Sequence, residues 1–382
     1  MVYDVIVCGG GIAGVAASLA ASRNKAKVLL VEREYVLGGL ATLGLICIYL
    51  PLCDGNGIKM SSGIAEELLK LSLKYGPGTI PDVWKEEHTQ EERSKSRYRV
   101  NFNPASLAIS MEEELLKNNV SILYGSHISG AFTNQENIRS ITIETKTGKK
   151  EFFAKTFVDA TGDADVCYFA GENTIEDSNN RKTGWYFSYD GKQLVNNRLT
   201  DPLYTDIPKD SRLYSGIKEE DISQSCIDGR KMIIDDIKKK KETNPDIYPL
   251  IIPSFHGLRM TRRLEGIYKF STKDEGIYFE DAIGMIGNWR RNKEHYSLPL
   301  RIIEAPKNKN LYVAGRCVSA DQSGQDLTRV IPSCAVTGEA TGTIAAYHAL
   351  NNRKPTIEQL QQILIKNGVL LKKEYFKKEE RK

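Results

Sequence analysis

Residues 5–14 of the chain read VIVCGGGIAG, and this stretch decides the fold class. A short apolar segment runs into a glycine-rich turn with the spacing G-x-G-x-x-G. An alanine-rich segment at residues 13–22 and a second apolar run at residues 28–31 follow directly. The pattern predicts a strand, a turn, a helix and a second strand. Entirely apolar strands are typical of parallel sheets covered by helices, so we predict an α/β fold.

Each glycine of the turn has its own expected role. Gly9 allows the tight turn, Gly11 lets a pyrophosphate approach the backbone, and Gly14 lets the helix pack closely on the strand. The helix N-terminus directs free N–H groups at the phosphates. Glu32 ends the second strand, at roughly the 20-residue spacing where an acid binds the ribose hydroxyls of adenosine. The alternative is an ordinary turn with a surface glutamate, and the pattern does not separate FAD from NAD.

The composition and charge of the chain indicate a two-domain globular protein and argue against nucleic-acid binding and membrane insertion. The chain has 382 residues, 41% of them hydrophobic, which is enough for two domains with a substantial core. Its formal charge of +4 comes from interleaved bases and acids, which argues against a nucleic-acid partner. No run approaches the ~20 apolar residues of a membrane helix, and the first strand begins too near Met1 for a signal peptide. We therefore predict no membrane insertion and a cytoplasmic location.

The remaining periodicity predicts two domains. The nucleotide-binding domain takes residues 1–165, with a helical insertion at about 44–100, and resumes at residues 305–382, where a strand and a small-residue helix resemble the start of the chain. Residues 166–304 form a second, α+β domain that holds the substrate or caps the site. We expect helices at residues 62–75, 105–117, 219–241 and 334–350, and strands at residues 120–124, 128–133, 138–145, 151–159, 185–189 and 311–314.

Six further segments resemble a known family. They are residues 36–42 (VLGGLAT), 158–165 (VDATGDAD), 259–263 (RMTRR), 279–284 (FEDAIG), 310–319 (NLYVAGRCVS) and 328–334 (TRVIPSC). Together they are similar to segments of bacterial FAD-dependent oxidoreductases of the glutathione-reductase-like flavoprotein class. They span nearly the whole chain. The resemblance implies FAD as the cofactor, a discontinuous Rossmann-like FAD-binding domain and an oxidoreductase activity.

One position departs from the family pattern. In many related flavoproteins an aspartate that binds the ribityl chain follows the glycine of the last strand signature, whereas here Arg316 follows Gly315. Asp321 is the expected substitute. The residues that the resemblance and the glycine turn assign to FAD binding are Gly9, Gly11, Ile12, Ala13, Gly14, Glu32, Arg33, Gly39, Leu40, Ala41, Thr42, Ala160, Thr161, Gly162, Asp163, Gly315, Arg316, Asp321 and Ser333.

A helix is expected to begin at Pro332 and Ser333. One of its faces carries only small residues, which suits close packing against a cofactor or a sheet. Its N-terminus is expected to face the isoalloxazine, where the helix dipole stabilises the anionic reduced flavin. The alternative is that the small-residue face serves packing alone.

No catalytic residue is identified, but arginines are the candidates for recognising a carboxylate or another anion beside the flavin. The alternative role for these arginines is salt bridging to the acids at positions 265, 280 and 281. The candidates, together with Arg262, are Arg259, Arg263, Arg316 and Arg329.

Cysteines and histidines give weaker signals. The seven cysteines are scattered without a C-x-x-C pair, which predicts reduced thiols. Cys47 and Cys53 invite comparison with redox-active disulfides of related reductases, but their spacing differs and buried thiols are favoured. His256 and His295 are either an acid or base near the flavin or structural histidines, and the latter is favoured. The histidines form no metal-binding motif, so no metal is expected.

The sequence therefore predicts an FAD-dependent oxidoreductase. It would transfer a hydride or an electron pair between a small-molecule substrate and flavin N5. No second glycine-rich unit for NAD(P)H occurs, and oxygen, a quinone or a protein carrier all stay open as the electron acceptor. The alternative is a flavin-binding electron carrier or assembly partner without a small-molecule substrate. The sequence does not indicate the oligomeric state.

Overall fold

The computed structural model describes residues 2–200, 211–255, 257–376 and 378–379. No helix in these ranges is both long and apolar enough to cross a bilayer. The strands are β1 (Val2–Cys8), β2 (Val28–Val31), β3 (Ile48–Tyr49), β4 (Val100–Asn101), β5 (Ser121–Leu123), β6 (His127–Asn134), β7 (Asn137–Thr145), β8 (Gly148–Asp159), β9 (Thr174–Glu176), β10 (Trp185–Tyr189), β11 (Leu194–Arg198), β12 (Tyr248–Ile251), β13 (Arg262–Leu264), β14 (Ile277–Tyr278), β15 (Ala282–Gly287), β16 (His295–Pro299), β17 (Leu311–Val313) and β18 (Lys378–Glu379). The helices are α1 (Ile12–Arg23), α2 (Ile64–Ser72), α3 (Gln90–Ser94), α4 (Pro104–Lys117), α5 (Asp165–Phe169), α6 (Glu219–Lys241), α7 (Gln322–Thr328), α8 (Ile331–Asn351) and α9 (Ile357–Lys366).

The sheet that carries the glycine turn is built around β1. Strands β2 and β8 flank β1 in parallel, β5 extends the sheet beyond β2, and β17 adds in parallel beside β8. Strands β6 and β7 form an antiparallel meander on the first half of β8. Because β17 joins this sheet after the chain has passed through the second domain, the predicted α/β fold with a discontinuous Rossmann-like domain is confirmed.

Helices α1 and α8 pack on each other at very short range. A Cβ on Gly342 would lie 2.1 Å from the carbonyl oxygen of Ala17, and one on Gly338 would lie 2.3 Å from that of Ala13. The Thr341 hydroxyl donates to a carbonyl of β17 at 2.9 Å. The small-residue face of α8 therefore packs against α1 and β17. This packing role of the small-residue face is the alternative to cofactor contact that the sequence left open.

The second domain contains an antiparallel sheet in the order β11-β10-β12 and the long helix α6. The Asp190 carboxylate accepts the N–H groups of Lys192 and Gln193 and so shapes the predicted Asp-Gly turn between β10 and β11. Buried apolar residues between positions 264 and 305 belong instead to the core of the larger domain. The boundaries at 166 and 304 stay predictions. The separate core of the second domain consists of Tyr186, Ile233, Ile237 and Ile247.

One carboxyl group is buried where α8 meets α2. Glu339 is 2% exposed, and its Oε2 accepts the backbone N–H of Ile64 at 2.8 Å. Burial raises the pKa of Glu339 to about 8, although this hydrogen bond favours the charged form. Glu339 therefore carries a proton at neutral pH in the folded chain and loses it on unfolding.

We expect Glu339 to make the folded chain less stable as the pH rises from about 4.5 to about 8. In this window the folded state binds more protons than the unfolded state. The stability contributed by protonated Glu339 is therefore complete below about pH 4.5 and lost above about pH 8. Glu339→Gln, a neutral isostere, removes the dependence. The check is the Tm of both proteins between about pH 5 and pH 9, where the wild-type Tm falls relative to the variant until about pH 8.

Glu66 supplies the control for this experiment. Lysine and tyrosine partners, Lys59 first among them, lower the pKa of Glu66 to about 2 even though its burial opposes the change. The stability that Glu66 contributes is lost only as the pH falls below about 4.5. The wild type and Glu66→Gln should therefore differ by a constant Tm across the tested range. A similarly constant difference for Glu339→Gln would contradict the raised pKa of Glu339.

Candidate functional site

A cleft opens at the carboxyl ends of β1, β2, β8 and β17. Gly9, Glu32, Ala160 and Ala314, the residues that directly follow these strands, all line it. Parallel strands bring such residues to one edge of the sheet, which is where open α/β folds bind ligands. The cleft therefore lies where the sequence predicts a nucleotide.

The three glycines of the turn have different surroundings. Gly9 has a φ of +102°, and a Cβ there would lie 2.4 Å from the carbonyl oxygen of Ala160. A Cβ on Gly14 would lie 1.8 Å from the carbonyl oxygen of Gly9. A Cβ on Gly11 would meet no atom within 4 Å, although Gly11 lines the cleft. Packing thus requires Gly9 and Gly14, whereas Gly11 leaves open a space that a ligand can fill.

The first turn of α1 and Glu32 form the neighbouring wall. Helix α1 begins at Ile12 with Gly11 as its N-cap, and no side chain caps this end. The Glu32 carboxylate accepts the N–H of Gly10 at 2.5 Å and that of Glu34 at 2.8 Å. Burial raises the pKa of Glu32 in spite of these hydrogen bonds. Each carboxylate oxygen keeps a further lone pair, so Glu32 can accept ligand hydroxyls while it is held on the glycine turn.

Another wall of the cleft contains a turn held by the Asp159 carboxylate and the guanidinium of Arg316. The buried Asp159 carboxylate accepts both the N–H of Thr161, at 3.1 Å, and its hydroxyl, at 2.7 Å. The Arg316 guanidinium donates to the carbonyl oxygen of Leu258 at 2.8 Å and lies 3.5 Å from the Asp163 carboxylate. The side chain of Arg316 is only 11% exposed, and it lines the cleft.

The remaining end of the cleft contains Arg329 and the start of α8. The Arg329 side chain is 7% exposed and pairs with Asp326. Its buried Nε has no hydrogen-bond partner within the part of the chain that the structure describes. Ile331 and Cys334, in the first turn of α8, line the cleft beside it, and no side chain caps this helix. This end thus offers a buried donor on a cation and the positive end of a helix dipole.

Comparison with known proteins identifies the family. A family model described as FAD dependent oxidoreductase matches residues 4–185 and 180–364, which together make up most of the chain. The chain belongs to this FAD-dependent oxidoreductase family. FAD is therefore its cofactor, and the chain is an enzyme whose substrate is unidentified.

Solved structures resemble this chain at low sequence identity. A geranylgeranyl bacteriochlorophyll reductase-like protein from Thermoplasma acidophilum is 15% identical, with 96% of this chain and 84% of that chain covered and a TM-score of 0.48. BexE, studied for oxidation during BE-7585A biosynthesis, is 10% identical, with 96% and 66% covered and a TM-score of 0.50. The p-nitrophenol 4-monooxygenase from Pseudomonas putida DLL-E4 is 11% identical, with 96% and 85% covered and a TM-score of 0.47.

The residues of the cleft fit the FAD of this family. The open space at Gly11 suits a pyrophosphate that lies close to the backbone, and the uncapped start of α1 supplies N–H donors there. At the other end, the buried Nε of Arg329 lacks an acceptor that a bound group can provide. The cleft thus combines an open space beside an uncapped helix start with a buried donor on a cation, and both suit a dinucleotide.

The residues predicted to bind FAD fall into two sets, and their individual contacts stay predictions. Those that line the cleft are Gly9, Gly11, Ile12, Ala13, Glu32, Arg33, Gly39, Leu40, Ala41, Ala160, Thr161 and Arg316. Those that do not line it are Gly14, Thr42, Gly162, Asp163, Gly315, Asp321 and Ser333. In the second set, Asp321 caps α7 by accepting the N–H of Gly324 at 2.8 Å.

The arginine candidates occupy three different places. Arg316 and Arg329 line the cleft, and Arg259 lines a neighbouring cavity. Arg263 lines neither of them, because its guanidinium donates to the carbonyl of Ala320 at 2.6 Å and pairs with Asp177. Arg262 pairs with a carboxylate of α5 at 2.7 Å. The acids at 265, 280 and 281 are thus not the partners of Arg262 and Arg263.

Sequence reasoning missed several residues of the cleft. Ser126 and His127 lie beyond the end of β5, and the rule that ligands bind after parallel strands would have found them. Phe255 comes from the second domain, and the Arg33 guanidinium lies 4.5 Å from its ring centroid. No motif marks Phe255. Asp165 also lines the cleft, where burial and two neighbouring carboxylates raise its pKa to about 6.

The cysteines and histidines that the sequence singled out lie away from the cleft or outside the described residues. Cys47 and Cys53 are buried free thiols, and neither lines the cleft. Burial raises the pKa of Cys47 to about 12 and also raises that of Cys53. The ring nitrogens of His295 contact carbonyl oxygens at 3.0 and 2.9 Å. His256 lies outside the described residues.

We expect the protein denatured in the absence of reductant to show seven free thiols, whether the flavin was oxidised or reduced beforehand. The measurement is thiol titration of both forms under anaerobic conditions. In the native protein Cys226 should react first, because it is the one cysteine that is only partly buried. Cys226→Ser should remove this fast phase. Two thiols that appear only after reduction would instead show a Cys47–Cys53 disulfide.

Proposed function

We propose that this enzyme transfers a hydride or an electron pair between a small-molecule substrate and N5 of FAD. The observation that carries the proposal is a second cavity of about 250 Å³ beside the cofactor cleft. Asp326, which lines this cavity, pairs with Arg329, which lines the cleft. A small molecule in the second cavity would lie next to the cofactor, and this favours an enzyme with its own substrate over a flavin-binding carrier.

Three groups of this chain would hold the cofactor. Gly11 and the start of α1 would bind the pyrophosphate, and the Glu32 carboxylate would accept the adenosine ribose hydroxyls. Arg316, Arg329 and the first turn of α8 would hold the flavin end. FAD supplies the redox chemistry, and the protein supplies binding, orientation and electrostatics. The two arginines and the α8 dipole favour negative charge on the group they hold, which supports its reduction.

The class within the flavoproteins and the electron acceptor are also proposals. The segments at residues 158–165 and 310–319 support the glutathione-reductase-like class, but the matched family model names only the cofactor and the type of reaction. No second glycine-rich nucleotide unit occurs in the sequence. We therefore propose an acceptor other than a stably bound NAD(P)⁺, such as oxygen, a quinone or a protein carrier.

An anaerobic metabolite screen tests the proposed function. The purified protein should be yellow and release FAD on denaturation, and the substrate should bleach the oxidised flavin spectrum. Air or an added quinone should then restore the spectrum. If FAD is bound but only a protein partner exchanges electrons with it, the carrier alternative replaces the proposal. A colourless protein that cannot be reconstituted with FAD would overturn both.

A further inference from the structure

The second cavity is lined mainly by polar and charged residues, and none of them lines the cofactor cleft. It lies between the second domain and the segment that leads into α8. Its only apolar side chains are those of Leu213 and Met260, among the described residues. The cavity is lined by Asn179, Asn180, Arg181, Leu213, Arg259, Met260, Arg290, Gln322 and Asp326.

One wall of this cavity is firmly built around Asn180. Asn180 is 5% exposed, and its side-chain oxygen accepts the N–H groups of Arg259 and Met260, both at 2.9 Å. Its amide nitrogen donates to the carbonyl of Met260 at 2.6 Å and to that of Tyr214 at 3.3 Å. These bonds fix the backbone of Arg259, which lines the cavity and whose guanidinium lies 5.4 Å from the ring centroid of Trp185.

Next to Asn180, a buried acceptor lacks a partner. The side-chain oxygen of Asn179 is buried and makes no hydrogen bond within the described part of the chain. A buried unsatisfied acceptor is costly, so such an atom commonly marks a place that a ligand or an ordered water completes. Here the missing partner is an N–H or O–H donor.

The charged side chains of the lining are mostly basic. Arg181, Arg259 and Arg290 contribute three positive charges, and Asp326 contributes one negative charge. Asp326 is shared, because Arg290 lies 2.8 Å from one of its oxygens and Arg329 pairs with the other. Although burial opposes it, these two arginines lower the pKa of Asp326, which therefore stays ionised. The arginines present planar donors that match a carboxylate.

Arg329 connects this cavity to the cofactor cleft. Its Nη2 faces Asp326, and Arg329 also lines the cleft, with its buried Nε unpartnered among the described residues. We propose that the second cavity binds the carboxylate of a substrate that also offers a hydroxyl or amino group to Asn179, with Arg259 as the principal cation and Arg329 between substrate and FAD. This inference rests on the proposed function and names its substrate class.

Ligand binding to the FAD-loaded protein tests the inference. Lactate, malate and larger 2-hydroxycarboxylates would be titrated in parallel with their amides, with the flavin spectrum and the Tm as readouts. At least one carboxylate should bind saturably, its amide should not, and added salt should weaken the binding. The inference is overturned if no carboxylate binds, or if acids and amides bind alike.

Variants locate the binding. Arg259→Gln should raise the Kd of the carboxylate on the order of 30-fold, because it leaves the anion without its buried partner. Arg259→Lys keeps the positive charge and should therefore lose less affinity for the carboxylate. Asn179→Asp adds a negative charge with almost no change in shape and should weaken binding about 10-fold or more. Arg291→Gln is the matched control, since its side chain is 75% exposed and does not line the cavity. Unchanged affinity in both Arg259→Gln and Asn179→Asp would overturn the assignment.

The same data separate this inference from the proposed function. If neutral molecules bleach the flavin but carboxylates neither bind nor bleach it, the substrate class is wrong and the oxidoreductase proposal stands. If carboxylates bind at Arg259 but no molecule in the screen changes the redox state of the flavin, the cavity assignment stands and the proposed electron transfer fails.

Discussion

Gly11→Val should yield a folded protein that no longer binds FAD. Gly11 lies in the cleft with extended backbone angles that valine also adopts, and a Cβ there meets no protein atom within 4 Å. The added side chain therefore starts in the space proposed for the pyrophosphate, and its Cβ does not clash with the fold. We expect FAD affinity to fall on the order of 1,000-fold, or about 4 kcal/mol, while the apoprotein loses only about 1 kcal/mol at the helix N-cap.

The measurement is the FAD content after purification, followed by titration of the apoprotein with FAD and comparison of apoprotein Tm values. Ala105→Val is the matched control, because it adds the same methyl groups to the exposed first turn of another helix, α4. The control should bind FAD like the wild type. If the Gly11→Val protein were yellow and bound FAD with wild-type affinity, this turn would not be the binding site of the pyrophosphate.

Local patterns predicted the main elements because local forces decide them. The helix expected at residues 219–241 is α6, Glu219–Lys241, and the strand expected at residues 28–31 is β2. Acidic residues in the first turn of α6 and lysines in its last turn match the helix dipole. Strand β2 is apolar throughout because it is buried on both faces.

The position of the cleft was predictable from the same patterns, but its full lining was not. Glu32 and Ala160 follow strands of one parallel sheet, so their proximity follows from topology. Phe255 reaches the cleft from the second domain, and this depends on how two distant segments pack. Likewise, Arg263 and Arg329 look alike in the sequence. Only the fold gives Arg263 three acceptors and leaves the Nε of Arg329 without one among the described residues.

The small-residue helix shows how one pattern serves two purposes. Its N-terminus meets the cleft through Ile331 and Cys334, and its position beside the isoalloxazine stays a prediction. Its glycines lie against α1 and hold that helix at a fixed distance. Because the first turns of both helices line the cleft, the contact between α1 and α8 fixes these two parts of its lining relative to each other.

Gly342→Ala should therefore destabilise the protein strongly. The new Cβ would lie 2.1 Å from the carbonyl oxygen of Ala17 and 2.7 Å from its carbon, and these backbone atoms cannot rotate away. Alanine gains roughly 1 kcal/mol of helix propensity over glycine, but overpacking against a backbone outweighs this gain. We expect a net loss of roughly 3 kcal/mol in the free energy of unfolding.

Denaturant unfolding of the apoprotein measures this effect without a contribution from FAD. Gly130→Ala is the control, because Gly130 lies in strand β6 with its nearest neighbour 3.4 Å from the added Cβ. That change should cost little. Ala17 does not line the cleft, whereas Ala13, the contact of Gly338, does. Gly342→Ala should accordingly lower stability more than FAD affinity, and Gly338→Ala should lower both. Wild-type stability in Gly342→Ala would mean that α1 and α8 lie farther apart than described.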